Sequence, residues 1–381
     1  MITPDTEVTL LLCARLQKKS TGTKPLTPGE WNNLAEVLYN KGLRPQSLVD
    51  KIPSEIPLDA GRLQELLGRG AALSLAIERW NQAGIWILSR SDRGYPSLWR
   101  KRLKKSAPPI LYGVGNLDRL RLGGLGVVGS RDASDDDLRF AHKLGAQCAA
   151  QSVVVVSGGA RGVDEQAMMG GLNNGGDSIG VLSHDLMRAS TNKKWRSHIR
   201  ENRLTLVSAA SPSSGFNPGL AMARNKLIYS LSHAAVVIAT GLENGGTWTG
   251  ALENLKARWA PLYARRNAGQ GCAALLSKGA RELPSSVLAP DFQIVSLAGI
   301  YDVGDSLLIR FFELLREQMR GKALTLGELI QIFQLHPEQL QIWLEKGTSE
   351  GLLVQNSDGK FALLEDMTKE CGQLEFSLDM E

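Results

Sequence analysis

The chain is poor in cysteine, in aromatic residues and in long apolar runs. Its four cysteines, Cys13, Cys148, Cys272 and Cys371, are scattered, with no Cys-x-x-Cys spacing. That argues against a zinc site and fits a reducing compartment. The five histidines, His142, His184, His198, His233 and His336, share no metal-ligand spacing, so neither a metal nor a cofactor is expected. No apolar run reaches the roughly 18 residues that span a bilayer. The opening segment MITPDTEVTLLLCARLQKKS has no basic stretch before its short apolar run. A secretion signal is therefore not expected, and a cytoplasmic location is. A Gly-Lys-Ser/Thr phosphate loop and a Gly-x-Ser-x-Gly elbow are both missing, which argues against P-loop ATP hydrolysis and against a serine hydrolase. The expectation is a binding protein and not an enzyme.

What is present is a globular composition. The 381 residues are 43% hydrophobic and 22% charged, enough for two or three domains with their own cores. The net charge is +5, but the run from Glu365 to Glu381 carries −5, which leaves +10 on the rest. A basic body suggests a polyanionic partner. The acidic tail is either a protein contact or a solubilising end.

Residues 1–84 read as a small helical domain. Trp31, Leu34, Ala35, Val37 and Leu38 keep helical spacing after Pro28, and Leu63, Leu66 and Leu67 begin another run. Residues 85–300 read as the core. It opens with a strand-like run, Ile85–Ser89, and a basic stretch, Arg90–Lys105. That stretch holds seven arginines and lysines against Asp92. It is either a nucleic-acid contact or a solvated helix face with Leu98 and Leu103 turned inward. From Leu125 short apolar runs alternate with helical segments. The strand candidates are 125–130, 153–157, 178–183, 204–209, 234–240 and 261–265, with helices at 135–150, 164–172 and 219–231. Runs of β-branched residues without polar alternation indicate strands buried on both faces. The fold class is therefore α/β, a Rossmann-like, doubly wound, mostly parallel sheet. A linker at Gly279–Pro290 and a further strand-like run, FQIVSL, follow.

The C-terminal part reads as a linker helix (301–322, with its helix at 305–320), a winged-helix domain (323–366) and a tail (367–381). Thr325 and Glu328 match a capping box, Pro337 suits a first helical turn, and Asn356–Gly359 is a turn. The second helix of this domain carries Glu338, Glu345 and Glu350 against Lys346. Such a face repels a phosphate backbone, so it is expected to meet protein and not a DNA groove.

Five loops follow the expected strands on the edge where ligands of such sheets bind. In VVGSRDAS, Gly129, Ser130 and Arg131 offer close backbone approach, a hydroxyl and a charge. A Gly-x-Gly-x-x-Gly at Gly124, Gly126 and Gly129 lies before and within the strand, in the wrong place for a pyrophosphate. In SGGARGVD, Ser157, Gly158, Gly159 and Arg161 offer the same set, with Asp164 expected to cap the next helix. SHDL (183–186) supplies a hydroxyl. SAASPSSGFNPG (208–219) adds hydroxyls and Phe216, an aromatic able to stack on a base. Arg224, Asn225 and Lys226 follow on the next helix; taken singly, each charge reads as surface. In GLENGGTWTGALE, Gly245, Gly246 and Thr247 precede a helix expected to start near Trp248.

VVGSR, SGGARGVD, AMARNK and GGTWTGALE, in this order, resemble the DNA-processing protein A (DprA/Smf) family. The resemblance covers most of the chain and is strongest over residues 95–280. It implies binding of single-stranded DNA, a homodimer and handover of the strand to a RecA-type recombinase. Gly129, Ser130, Arg131, Ser157, Gly158, Arg224, Asn225 and Lys226 are the contacts it implies. Three places depart from the family pattern: Met168 stands for a histidine, Lys226 for an arginine, and Gly245-Gly246-Thr247 for Ser-Gly-Ser. Divergent relatives resemble components of phage-defence or toxin–antitoxin systems, which would use the same pocket with a protein partner. A nucleotide sensor is a further reading. GGTWTGALE also resembles the loop of nucleotide phosphoribohydrolases, although Trp248 replaces a glycine and Glu253 falls one residue late.

Overall fold

The computed structural model describes residues 2–16, 22–53, 55–298, 311–312, 314–319, 322–333, 335, 337–349 and 352–363. The chain divides into two compact units, Met1–Gly299 and Ile300–Glu381. Among the described residues no helix is long and apolar enough to cross a membrane.

The first unit opens with four helices: α1 (Pro4–Cys13), α2 (Pro28–Asn40), α3 (Ala60–Leu67) and α4 (Gly70–Gln82). Local chemistry starts α2. The Thr27 hydroxyl accepts from the Glu30 N–H, the Glu30 carboxylate accepts from the Thr27 N–H, and Pro28 occupies the first turn. Trp31, Leu34 and Leu38 of α2 then bury against Leu63 and Leu66 of α3. These helices share the compact unit of the sheet. Leu10 and Leu11 of α1 pack into the sheet's core, and the Thr6 hydroxyl reaches Ser89 (2.7 Å) and the Asp92 carboxylate (2.7 Å).

The sheet is built from β1 (Trp86–Ser89), β2 (Ile110–Val114), β3 (Leu125–Val128), β4 (Val155–Ser157), β5 (Ser178–Leu182), β6 (Leu204–Ser208), β7 (Ala234–Val237), β8 (Leu262–Ala264) and β9 (Arg281–Glu282). Between them run α5 (Ser97–Leu103), α6 (Arg119–Leu122), α7 (Asp135–Ala150), α8 (Val163–Asn173), α9 (Leu186–Thr191), α10 (Lys193–Arg200), α11 (Pro218–Leu231), α12 (Gly245–Ala257) and α13 (Gly269–Ser277). The strand order is β1-β2-β6-β5-β4-β3-β7-β8-β9. β1–β2 and β2–β6 are antiparallel, and the other neighbours are parallel. Alternate residues bury on opposite faces. Val127, Leu206 and Val236 enter one core, and Val128, Val207 and Val237 the other. That two-sided burial is why the sequence shows apolar runs and no polar alternation.

The chain winds outward from β3 to β6, then crosses back to β7 on the far side of β3. The reversal between β3 and β7 is the place where such sheets open a crevice at their carboxyl edge.

The structure corrects several local expectations. The strands are shorter than the apolar runs that announced them. β2, which no strand-like expectation covers, pairs with β1 and β6. FQIVSL is not a strand. Residues Ile294–Ala298 form a 3-10 turn, because the Gln151 side chain accepts from the Ile294 N–H and donates to the Phe292 carbonyl. Arg281–Glu282, read as linker, is the edge strand β9. α12 begins at Gly245 and not near Trp248.

In the second unit, residues 311–312 and 314–319 are helical; the rest of the helix expected at 305–320 lies outside the described residues, as does the tail 367–381. Helices Leu326–Phe333 and Pro337–Ser349 and an antiparallel hairpin, β10 (Leu353–Gln355) with β11 (Phe361–Leu363), follow. The Thr325–Glu328 capping box forms, and Asn356 closes the turn by accepting from the N–H groups of Asp358 and Lys360. Glu345 is exposed and accepts from Gln341. The order helix, helix, hairpin is the expected one.

Candidate functional site

Four of the five loops meet in one cavity of about 370 Å³ at the β3/β7 switch point. Gly129, Ser130 and Arg131 line it from the end of β3, and Asp164 from the first turn of α8. Phe216, Arg224 and Asn225 come from α11 and its lead-in, and Gly245, Gly246 and Thr247 from the first turn of α12.

At its inner end lies a buried ion pair. Arg224 Nη1 stands 3.5 Å from Asp164 Oδ2, with side chains 10% and 6% exposed. Arg224 is therefore not the surface charge its position suggested. Asp164 does not cap α8 either; Gly162 is the N-cap, and the Asp164 carboxylate accepts from the Gly129 N–H at 3.3 Å. Burial pushes the Asp164 carboxyl up, against the Arg224 guanidinium and the N–H groups of Gly129, Gly158 and Ala160. Burial pulls Arg224 down, and the Asp164 carboxylate opposes it. The nearby Arg131 guanidinium lowers Arg224 further, so an anion placed between the two arginines relieves a repulsion.

The first turn of α12 forms a second wall. No side chain caps this 13-residue helix at Asn244, so its amino end is set up to favour negative charge. Asn225 Nδ2 donates to the Gly246 carbonyl at 2.8 Å, and the Thr247 hydroxyl to the Gly129 carbonyl at 3.0 Å. These bonds tie the helix end to α11 and to β3. Phe216 stands at the rim, 57% exposed. The Arg131 guanidinium lies 5.8 Å from its ring centre, and the His184 ring packs edge-on at 5.4 Å.

The other candidates point elsewhere. Ser157 is buried and its hydroxyl donates to the Val127 carbonyl at 2.5 Å. Gly158 lies against the ion pair, where an added Cβ would collide with Arg224 and Asp164. Gly159 holds a left-handed turn at φ 63°. Arg161 is exposed and pairs with Asp132 at 3.2 Å. Lys226 turns to the opposite side of α11, where its Nζ donates to the Ser106 carbonyl at 3.2 Å. The third loop leads to a second cavity of about 1000 Å³, lined by Asp185, Arg15 and Arg79; Phe216 lines both.

Several residues of the basic stretch are engaged by bonds within the fold, although most of them stay exposed. Arg90 donates to Asn32, Arg100 to the Arg90 and Asp92 carbonyls, Arg102 to the Ser232 carbonyl (2.6 Å), and Lys105 to Glu36. Trp99 and Leu103 anchor α5, and Leu98 is half-buried. Among the lining residues without a sequence signal of their own are Asn244, in the loop before α12, and Tyr229, in an apolar stretch of α11.

A family model described as DNA recombination-mediator protein A matches residues 86–288. The DNA processing protein DprA of Streptococcus pneumoniae is 29% identical over 228 residues, covering 55% of this chain and 78% of that protein. Protein Smf of Synechocystis is 29% identical over 224 residues, covering 55% of this chain and 54% of Smf. The X-ray structure of the pneumococcal DprA shares the fold, with a TM-score of 0.55 and 21% identity over 77% of this chain and all of that one. With its model spanning the sheet from β1 to the segment after β9, the chain belongs to the DNA recombination-mediator protein A (DprA/Smf) family.

Proposed function

We propose that this protein binds single-stranded DNA and that the switch-point cavity holds its phosphates. One observation carries the reading: Arg131, Arg224 and the uncapped end of α12 converge on a single space. Arginines and helix ends suit phosphate oxygens and carry no base code. Phe216 at the rim adds a sequence-tolerant stacking face. The second cavity on its other side offers the strand a continuation. Handover to a RecA-type recombinase and a homodimer belong to the same proposal. So does a role without bond-breaking. The carboxylate that a phosphoribohydrolase reading needs is not among the residues lining the cavity.

Fluorescence anisotropy of labelled oligothymidylate, across a salt series, tests the reading. Wild type binds with a steep salt slope, and Arg131→Ala loses about tenfold or more in affinity. A wild-type protein indifferent to the strand at low salt ends it.

A further inference from the structure

Two polar atoms beside the cavity have no hydrogen-bond partner among the described residues: Nε of Arg224 and the hydroxyl of Tyr229. Both residues line the cavity, and both are buried, at 9% and 1% exposure. A buried donor left unmade costs about 1–3 kcal/mol. Native structures rarely keep two in one place without a use for them. Burial pushes the Tyr229 phenol up, so it stays a neutral O–H donor. The same space receives the uncapped first turn of α12, the Ser130 hydroxyl and the Arg131 guanidinium.

That is more donor capacity than a phosphodiester inside a strand can use. Such a group has two free oxygens and one charge, and it must leave the cavity through both of its ester bonds. A terminal phosphomonoester has three free oxygens, a charge of about −1.5 to −2 at neutral pH, and a single tether. The volume agrees. About 370 Å³ lies at the small end of ligand pockets, which run roughly from 300 to 1,000 Å³. It has room for one nucleotide and not for a strand folded in on itself.

We propose that the cavity holds a nucleotide phosphomonoester with its terminal phosphate against Arg224 and Tyr229. The source is either the phosphorylated end of a DNA strand or a free nucleoside monophosphate. The inference rests on reading this cavity as a nucleic-acid phosphate site.

The test uses the full chain and labelled oligothymidylates of one length, bearing a 5′-phosphate, a 3′-phosphate or no terminal phosphate. Unlabelled dTMP and thymidine are the competitors, and isothermal titration calorimetry of each alone reads its direct binding. One phosphorylated oligonucleotide binds about tenfold tighter than the unphosphorylated one, the worth of one charge-assisted hydrogen bond. Tyr229→Phe erases most of that preference. The variant deletes an unmade hydroxyl and keeps the ring, so its melting temperature stays at or above that of wild type. Displacement by dTMP but not by thymidine identifies the free nucleotide as a second source and also supports the proposal. Equal binding of all three oligonucleotides with no effect of dTMP overturns it and leaves strand binding intact. Binding of dTMP with no oligonucleotide binding keeps the proposal and ends the strand reading. No binding of any of them ends both.

Discussion

Asn225 on α11 donates its side-chain N–H to the carbonyl of Gly246 on α12, 2.8 Å away, across the mouth of the cavity. The bond holds the amino end of α12 over the cavity. Asn225→Ala is expected to cost about 0.5–1 kcal/mol of stability, the range for a partly exposed hydrogen bond. Affinity for oligothymidylate is expected to fall several-fold, because the helix end loses its fixed aim. Thermal melting and anisotropy on the same sample separate the two effects. A stability loss with unchanged affinity would show that the helix end does not need this tie.

Gly158 leaves no space for a side chain, since a Cβ would strike the Arg224 guanidinium and the Asp164 carboxylate. Gly158→Ala therefore forces the buried pair apart. A destabilisation of about 2–3 kcal/mol is expected, the upper range for overpacking, with loss of strand binding. Urea unfolding reads the first and anisotropy the second. Near-wild-type stability would contradict the close packing.

Arg102 tests whether the basic stretch is structural. Its guanidinium reaches the Ser232 carbonyl at 2.6 Å, on the chain between α11 and β7. Arg102→Ala is expected to lower the urea midpoint by an amount equivalent to about 1–2 kcal/mol and to leave the salt slope of oligothymidylate binding as in wild type. A shallower slope would place this residue on the DNA track instead.

Glu30 gives the fold an acid-sensitive point. Its hydrogen bonds from Arg62 and then from the Thr27 N–H hold its carboxyl at about 2, against an ordinary 4.5. A carboxyl lowered by folding contributes stability that is complete above the ordinary value and is lost as pH falls toward the folded one. Stability is therefore expected to decline between about pH 4.5 and pH 2. Glu30→Gln should flatten that part of the curve and weaken the cap at neutral pH by roughly 1 kcal/mol. Urea midpoints from pH 6 to pH 2 decide it. Parallel curves for the two proteins would remove Glu30 from the acid response.

How much was legible in the sequence follows the range of each interaction. Capping boxes at Thr27–Glu30 and Thr325–Glu328 show in the sequence because both partners lie within one turn. The parallel sheet shows because two-sided burial demands β-branched runs such as Val153–Val156. The loops at the carboxyl edge show because glycines and hydroxyls must follow strands there. The short strand β9 and the turn at 294–298 do not show, since neither has a local pattern. The turn depends on Gln151, the residue that ends α7 far back in the chain.

The sequence by itself determined the α/β class, the strand-to-helix loops and the family, because each rests on local periodicity or on motifs in a set order. Only the tertiary structure decided which charges face a ligand. Arg224 turned inward because Asp164, on another helix, supplies a buried counter-charge. Lys226, two residues on, turned away to the Ser106 carbonyl, and Arg102 was taken up by the Ser232 carbonyl. Tyr229 looked like core and proved to line the site with its hydroxyl unpaired among the described residues. The physical reason is that a long polar side chain goes where a partner desolvates with it, and those partners lie tens of residues away, where no local pattern records them.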